Sequence, residues 1–185
     1  VTGSGSNGTS HLRHAPVVAV FGSSAAQPGQ AAYEEARECG RLLAEAGYAV
    51  ATGGYAGTME ACSRGAAEAG ARVLGFTAAA AFPGRPGPNP WVEEEVAADS
   101  LTQRIHQILA RSAACIALDG SIGTLTEMLV AWNVAFVARL AGGPACPLLA
   151  VGPTWARLVP YLAEAVGTDA SLVTLVPDVA AAVAE

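Results

Sequence analysis

The sequence predicts an α/β protein built on a doubly wound parallel sheet with helices on both faces. Two observations carry that expectation. From residue 16 onward, short β-branched runs alternate with longer Ala-rich helical stretches, a rhythm that gives parallel strands joined by right-handed crossovers. Several short runs are also nearly continuous in apolar residues, so both of their faces must be covered.

Strands are expected at 16–21, 48–52, 72–77, 114–118, 147–151 and 172–175. Helices are expected at 30–46, 58–69, 100–111, 124–140 and 155–166, with a short one after Pro177. Residues 1–15 form a Gly/Ser/Asn-rich leader that reads as disordered. It contains His11, His14 and the chance glycosylation pattern Asn7-Gly8-Thr9. One segment breaks the rhythm. Phe82–Trp91 holds too much Pro and Gly for a helix or a central strand, so it is expected as an ordered surface loop. Arg85 and Trp91 are its candidates for the wall of a site. Glu93–Glu95 then reads as the solvated start of a helix, where acids suit the dipole.

Composition excludes several functions. At 185 residues with 52% hydrophobic content, the chain can bury one sizeable core. No apolar run approaches the ~18 residues of a membrane span, so no membrane partner is expected. A net charge of −6 disfavours a phosphate-tracking nucleic-acid surface. All ten basic residues are Arg. Without Lys there is no pyridoxal Schiff base and no Walker A lysine. Cys39, Cys62, Cys115 and Cys146 show no CxxC pairing, which suits small buried thiols in a reducing compartment and gives no metal site. The first apolar run, 17–21, is too short for a signal peptide, and a cytoplasmic location is expected.

Three glycine-rich turns follow strands and precede helices: Gly22-Ser23-Ser24, Gly53-Gly54-Tyr55-Ala56-Gly57 and Asp119-Gly120-Ser121-Ile122-Gly123-Thr124. In a parallel sheet such turns share one edge, the ligand edge. Glycine lets backbone N–H groups approach an anion, and a helix N-terminus favours it. None of the turns is GxGxxG opening the first helix, and no acid follows the second strand. A mononucleotide therefore fits this Rossmann-like domain, residues 16–185, better than a dinucleotide, and no cofactor is expected.

The stretches VVAVFGSSAAQPGQAAYEEARECGRLLAEAGYAVATGGYAGTMEACSRGAAEAGARVLGFT and SLTQRIHQILARSAACIALDGSIGTLTEMLVAWN resemble the LOG ("Lonely guy") family. Its hallmark is PGGxGTxxE preceded by an Arg-bearing helix. The resemblance implies a cytokinin-activating phosphoribohydrolase. Such an enzyme splits the N-glycosidic bond of an adenosine-type 5′-monophosphate into free base and ribose 5-phosphate. It places the catalytic pair on Arg104 and Glu127. The phosphate cradle falls on Gly120, Ser121, Gly123 and Thr124, supported by Gly22, Ser23, Ser24, Gly53, Gly54 and Gly57. It also implies a homodimer, which the apolar helix around Trp132 and Phe136 would suit.

Three positions depart from the family pattern. Asp119-Gly120-Ser121 stands where the family has Pro-Gly-Gly, Ile105 where it has a basic residue, and Thr102 where it has His. A carboxylate at 119 beside a phosphate turn is unfavourable, so either its side chain points away or the ligand is not the usual monophosphate. Glu60 is a candidate acid for the leaving base. Thr124-x-x-Glu127 also reads as a capping box, a role Glu127 could combine with catalysis. A non-catalytic nucleotide sensor or carrier of the same fold is the alternative function.

Overall fold

The computed structural model describes residues 15–85 and 87–185. The expected leader, with His11, His14 and Asn7-Gly8-Thr9, lies outside the described residues except for Ala15. Seven parallel strands form one sheet: β1 (Val17–Phe21), β2 (Ala49–Thr52), β3 (Val73–Thr77), β4 (Glu94–Ala97), β5 (Ala114–Ala117), β6 (Leu148–Val151) and β7 (Thr174–Val176). Their spatial order is β4-β3-β2-β1-β5-β6-β7. Helices α1 (Ala31–Glu45), α2 (Thr58–Glu68), α3 (Leu101–Ala110), α4 (Ile122–Leu140), α5 (Pro153–Val166) and α6 (Val179–Ala184) connect or follow them.

The sheet is wound on both sides, as its apolar strands predict. One layer packs Val18 and Val20 of β1 against Tyr33 and Leu43 of α1, Cys62 of α2 and Val179 of α6. The other packs Ala19 and Phe21 against Ile108 of α3, Met128 and Trp132 of α4, and Val159 of α5. The alternation of Val17 to Phe21 between two cores is the period-2 pattern of a strand buried on both faces. Cys39, Cys62 and Cys115 are buried and Cys146 is half-buried, all as free thiols. Among the described residues no helix is long and apolar enough to cross a membrane.

The sheet departs from expectation at both edges. Glu93–Glu95 does not open a helix, because Glu94–Ala97 is an edge strand paired in register with Leu74–Thr77. An edge strand with exposed residues shows no apolar signature. Its acids are held by neighbours: Glu95 accepts a 2.6 Å bond from Thr77 Oγ1, and Glu94 pairs with Arg111 at 3.1 Å. At the other edge the expected strand 172–175 begins later. Asp169 accepts a bond from Ser171 N and nucleates a 3-10 turn over Ala170–Leu172, so the strand occupies Thr174–Val176.

The topology decides where a site can lie. The chain runs from β1 to β4 in one direction, then returns to place β5 on the other flank of β1. The loops leaving β1 and β5 therefore stand side by side at the point where strand order reverses, the place where open α/β sheets bind ligands.

Candidate functional site

At that point lies a cleft of about 340 Å³. The loop after β1 contributes Gly22 and Ser24, the start of α4 contributes Ser121, Gly123 and Thr124, and Arg104 and Glu127 also line it. Seven of the sequence-predicted site residues thus come together. Met59, Phe82, Arg85 and Ile105 stand among its other wall residues.

Arg104 is fixed by the way α3 begins. Ser100 caps the helix by accepting from Gln103 N at 3.2 Å, and Gln103 Oε1 in turn accepts from Asp99 N at 2.7 Å. Helical side chains lean toward the N-terminus, so Arg104, one turn in, leans toward the cleft. Its Nε donates to Phe76 O at 2.6 Å and its Nη1 to Glu127 Oε1 at 3.1 Å. The two side chains are 6% and 13% exposed, so this ion pair is largely buried, with Glu127 reaching the cleft. Burial pushes the Glu127 carboxyl above its ordinary value, while the Arg104 charge and hydrogen bond pull it back.

The capping-box alternative does not hold. Helix α4 starts at Ile122 with Ser121 as its N-cap, so Thr124 is already inside the helix. Glu127 sits in the second turn and is committed to Arg104. Ser121 makes no side-chain cap, and the first intrahelical bond goes from Leu125 N to Ser121 O. The amides of the first turn are therefore available to an anion at the positive end of a 19-residue helix. Among the described residues the buried Thr124 hydroxyl also has no hydrogen-bond partner. Buried hydroxyls without partners are costly, and this one lies at the start of α4 beside the cleft.

The remaining predicted residues build the cleft without lining it. A Cβ on Gly53 would occupy the position of Arg104 Nη2, so Gly53 is the space into which the guanidinium fits. Gly54 and Gly57 have φ of +75° and +78°, a conformation that favours glycine. They let the chain turn sharply into α2. Gly54 O accepts from Asn89 Nδ2 at 3.1 Å, and Gly57 lies against the Ser23–Ser24 backbone. Ser23 O accepts from Thr58 N at 2.8 Å, and the Ser23 hydroxyl accepts from Ala25 N at 3.1 Å. A Cβ on Gly120 would collide with the Thr124 side chain.

Asp119 does not line the cleft, and on the opposite side of the sheet its charge adds to burial in raising the Glu35 carboxyl of α1. Glu60 is not beside the Arg104–Glu127 pair either. It lines a second cleft of about 300 Å³, which shares Ser24 and Arg85 with the first. The loop after β3 does form a wall, as Arg85 suggests, but Trp91 turns outward and stacks under Arg64, 5.5 Å from its ring centroid. Sequence reasoning missed Tyr55 and Phe82. They meet edge to face at 5.6 Å, and the guanidinium of Arg104 lies 5.9 Å from each ring. The signal was the Pro/Gly-rich loop itself, which leaves a strand at the ligand edge.

The family profile of the SLOG cluster4 family matches residues 15–137, well over half of the chain. The chain belongs to the SLOG cluster4 family. The matched span includes β1 to β5, Arg104, Glu127 and all three glycine turns. No curated protein matches it. Among solved structures it is similar to the molybdenum cofactor binding protein of Rippkaea orientalis, at 20% identity and a TM-score of 0.71, over 92% of this chain and 94% of that one. It is similar to the molybdenum cofactor carrier protein of Chlamydomonas reinhardtii, at 23% identity and a TM-score of 0.67, over 92% and 94%. It is also similar to DNA processing protein A of Helicobacter pylori, described with a single-stranded DNA binding mode, at 15% identity and a TM-score of 0.60, over 95% and 82%. At these identities the likeness concerns the fold. This SLOG protein has the Rossmann-like architecture of all three.

Proposed function

We propose that this SLOG cluster4 protein is a nucleoside 5′-monophosphate phosphoribohydrolase of the LOG type, releasing a free base and ribose 5-phosphate. The observation that carries the reading is the largely buried Arg104–Glu127 pair on a cleft shared with the uncapped start of α4. In this reading the first-turn amides of α4, with the hydroxyls of Thr124 and Ser121, hold the 5′-phosphate. That contact positions the sugar for the reacting centre. Departure of the base leaves an oxocarbenium-like ribose. The Glu127 carboxylate stabilises this charge and orients the attacking water, whose hydroxyl ends on C1′ as the N-glycosidic bond breaks and whose proton ends on the departing base. Arg104 keeps Glu127 ionised against its burial and holds it in one rotamer, with Gly53 making room for the guanidinium.

The chemistry belongs to residues 16–185 as one nucleotide-binding domain behind the leader 1–15, acting in the cytoplasm on a small molecule. A charge of −6 opposes nucleic acid as the partner. A homodimer would use the outer face of α4. There Val134, Val137 and Leu140 are 50%, 56% and 72% exposed, whereas Trp132 belongs to the core.

A second reading, a nucleotide or cofactor carrier without turnover, is favoured by the likeness to the cofactor carrier of Chlamydomonas reinhardtii. It is also favoured by Asp119, Ser121 and Ile105, which depart from the residues of the hydrolase pattern. Incubation with AMP, N6-substituted analogues and GMP separates the two. Free base and ribose 5-phosphate, absent with Glu127→Gln, support the hydrolase. Tight binding without products supports the carrier.

A further inference from the structure

The second cleft contains two charges that the fold leaves without partners. Arg85 is half-buried and has no carboxylate within ion-pair distance among the described residues. The sole hydrogen bond of its side chain among those residues is a long one, 3.4 Å from Nη2 to Ser24 Oγ. It is nevertheless held firmly, with its guanidinium 4.3 Å from the Phe82 ring centroid and 4.8 Å from that of Tyr55. Glu60, in the first turn of α2, is also half-buried and makes no hydrogen bond or ion pair among the described residues. Its natural partner four residues on, Arg64, goes instead to Glu68 at 2.9 Å. A protein with nine ion pairs among its described residues leaves these two groups open, and both line the same space. Asn89, between them in that lining, is already spent on Gly54 O, Tyr55 O and Trp91 N.

We propose that this second cleft holds the heterocycle of the nucleotide, and that Glu60 and Arg85 together select a 2-amino-6-oxopurine. The inference rests on the nucleotide reading of the first cleft and names its substrate class. The two clefts share Ser24 and Arg85, so a ligand with its phosphate at α4 and its sugar beside Glu127 can continue into the second. A carboxylate accepts two parallel bonds from an N–H and an adjacent amino group, the pair that guanine offers at N1 and N2. A guanidinium donates to the carbonyl and ring nitrogen on the other side, the commonest arginine contact to guanine. Adenine sets an acceptor nitrogen beside its amino group, so the Glu60 carboxylate would face a lone pair. Arg85 would also lose the carbonyl.

Calorimetric titration of the full chain with the carbocyclic analogues of GMP, IMP and AMP tests this. These analogues keep the phosphate but have no N-glycosidic bond to cleave. The GMP analogue is expected to bind about tenfold or more tighter than the AMP analogue, with the IMP analogue, which lacks the 2-amino group, between them. Glu60→Gln should weaken the GMP analogue about tenfold and leave the AMP analogue as tight or tighter, because the amide donates to the adenine nitrogen that the carboxylate repels. Arg85→Gln should weaken the GMP and IMP analogues together. Equal binding of all three, or a preference that survives Glu60→Gln, overturns the base selection while leaving the first cleft as a nucleotide site. No binding of any analogue overturns both.

Discussion

Gly53→Ala is the substitution that asks most of the architecture. The added methyl would fall on Arg104 Nη2, 2.5 Å from Met59 Sδ and 3.0 Å from Arg104 Cζ. The methyl is fixed to the backbone, so the guanidinium has to retreat. Retreat costs the 2.6 Å bond to Phe76 O and the 3.1 Å pairing with Glu127. Breaking a buried ion pair costs about 3–5 kcal/mol. Glu127 keeps some contact with water, which places the expected loss near the low end, about 3 kcal/mol. For a protein of this size that is a fall in Tm of about 6–12 °C. Arg104 is the group that opposes burial at Glu127, so the acid limb of the pH–rate profile should also move to higher pH. Turnover should drop about 100-fold through misplacement of the carboxylate. Urea unfolding and a pH–rate profile read both effects. A loss below about 1 kcal/mol with an unmoved acid limb would refute the idea that Gly53 exists to seat Arg104.

Three other outcomes are expected. Gly123→Ala meets open space on the protein side and adds a better helix former near the start of α4, so stability should hold or rise by about 0.5 kcal/mol. Monophosphate affinity measured by calorimetry should nevertheless fall, because the new methyl enters the cleft; unchanged affinity would remove α4 from the phosphate site. Thr124→Val deletes a buried hydroxyl without a partner at nearly constant shape, so unfolding of the free protein should be unchanged or slightly harder. Phosphate binding should weaken by about 1 kcal/mol, one hydrogen bond. Glu127→Gln should abolish turnover while keeping nucleotide binding within a few-fold. The raised carboxyl of Glu127 favours its protonated form in the folded state. Its contribution to stability is therefore fully present below the unfolded value and lost as pH rises through the folded one. Urea unfolding of Glu127→Gln across the mildly acidic range should lack that decline.

Most of the sheet was legible because buried parallel strands are written as continuous apolar runs. Val17–Phe21 and Leu148–Val151 read as strands whatever surrounds them. β4 was not, since Glu94–Ala97 pairs on one side only and presents acids to solvent. Its identity as a strand depends on Leu74–Thr77, far away in sequence. At the site, the resemblance located Arg104 and Glu127, and their pairing across 23 positions follows from two helices that flank β5. The glycines were legible as special residues but not in their individual tasks. Gly123 opens onto the cleft, Gly57 turns the chain, and Gly53 accommodates a side chain from another helix. That last role needs the third dimension, as does the choice of Arg64 for Glu68 that leaves Glu60 free.

The most direct test of the account is a crystal structure with a nucleoside 5′-monophosphate bound. Its phosphate should accept bonds from the amides at the start of α4 and from the Thr124 hydroxyl, with C1′ of the ribose facing Glu127. A phosphate bound away from α4, or a sugar turned from the Arg104–Glu127 pair, would contradict it.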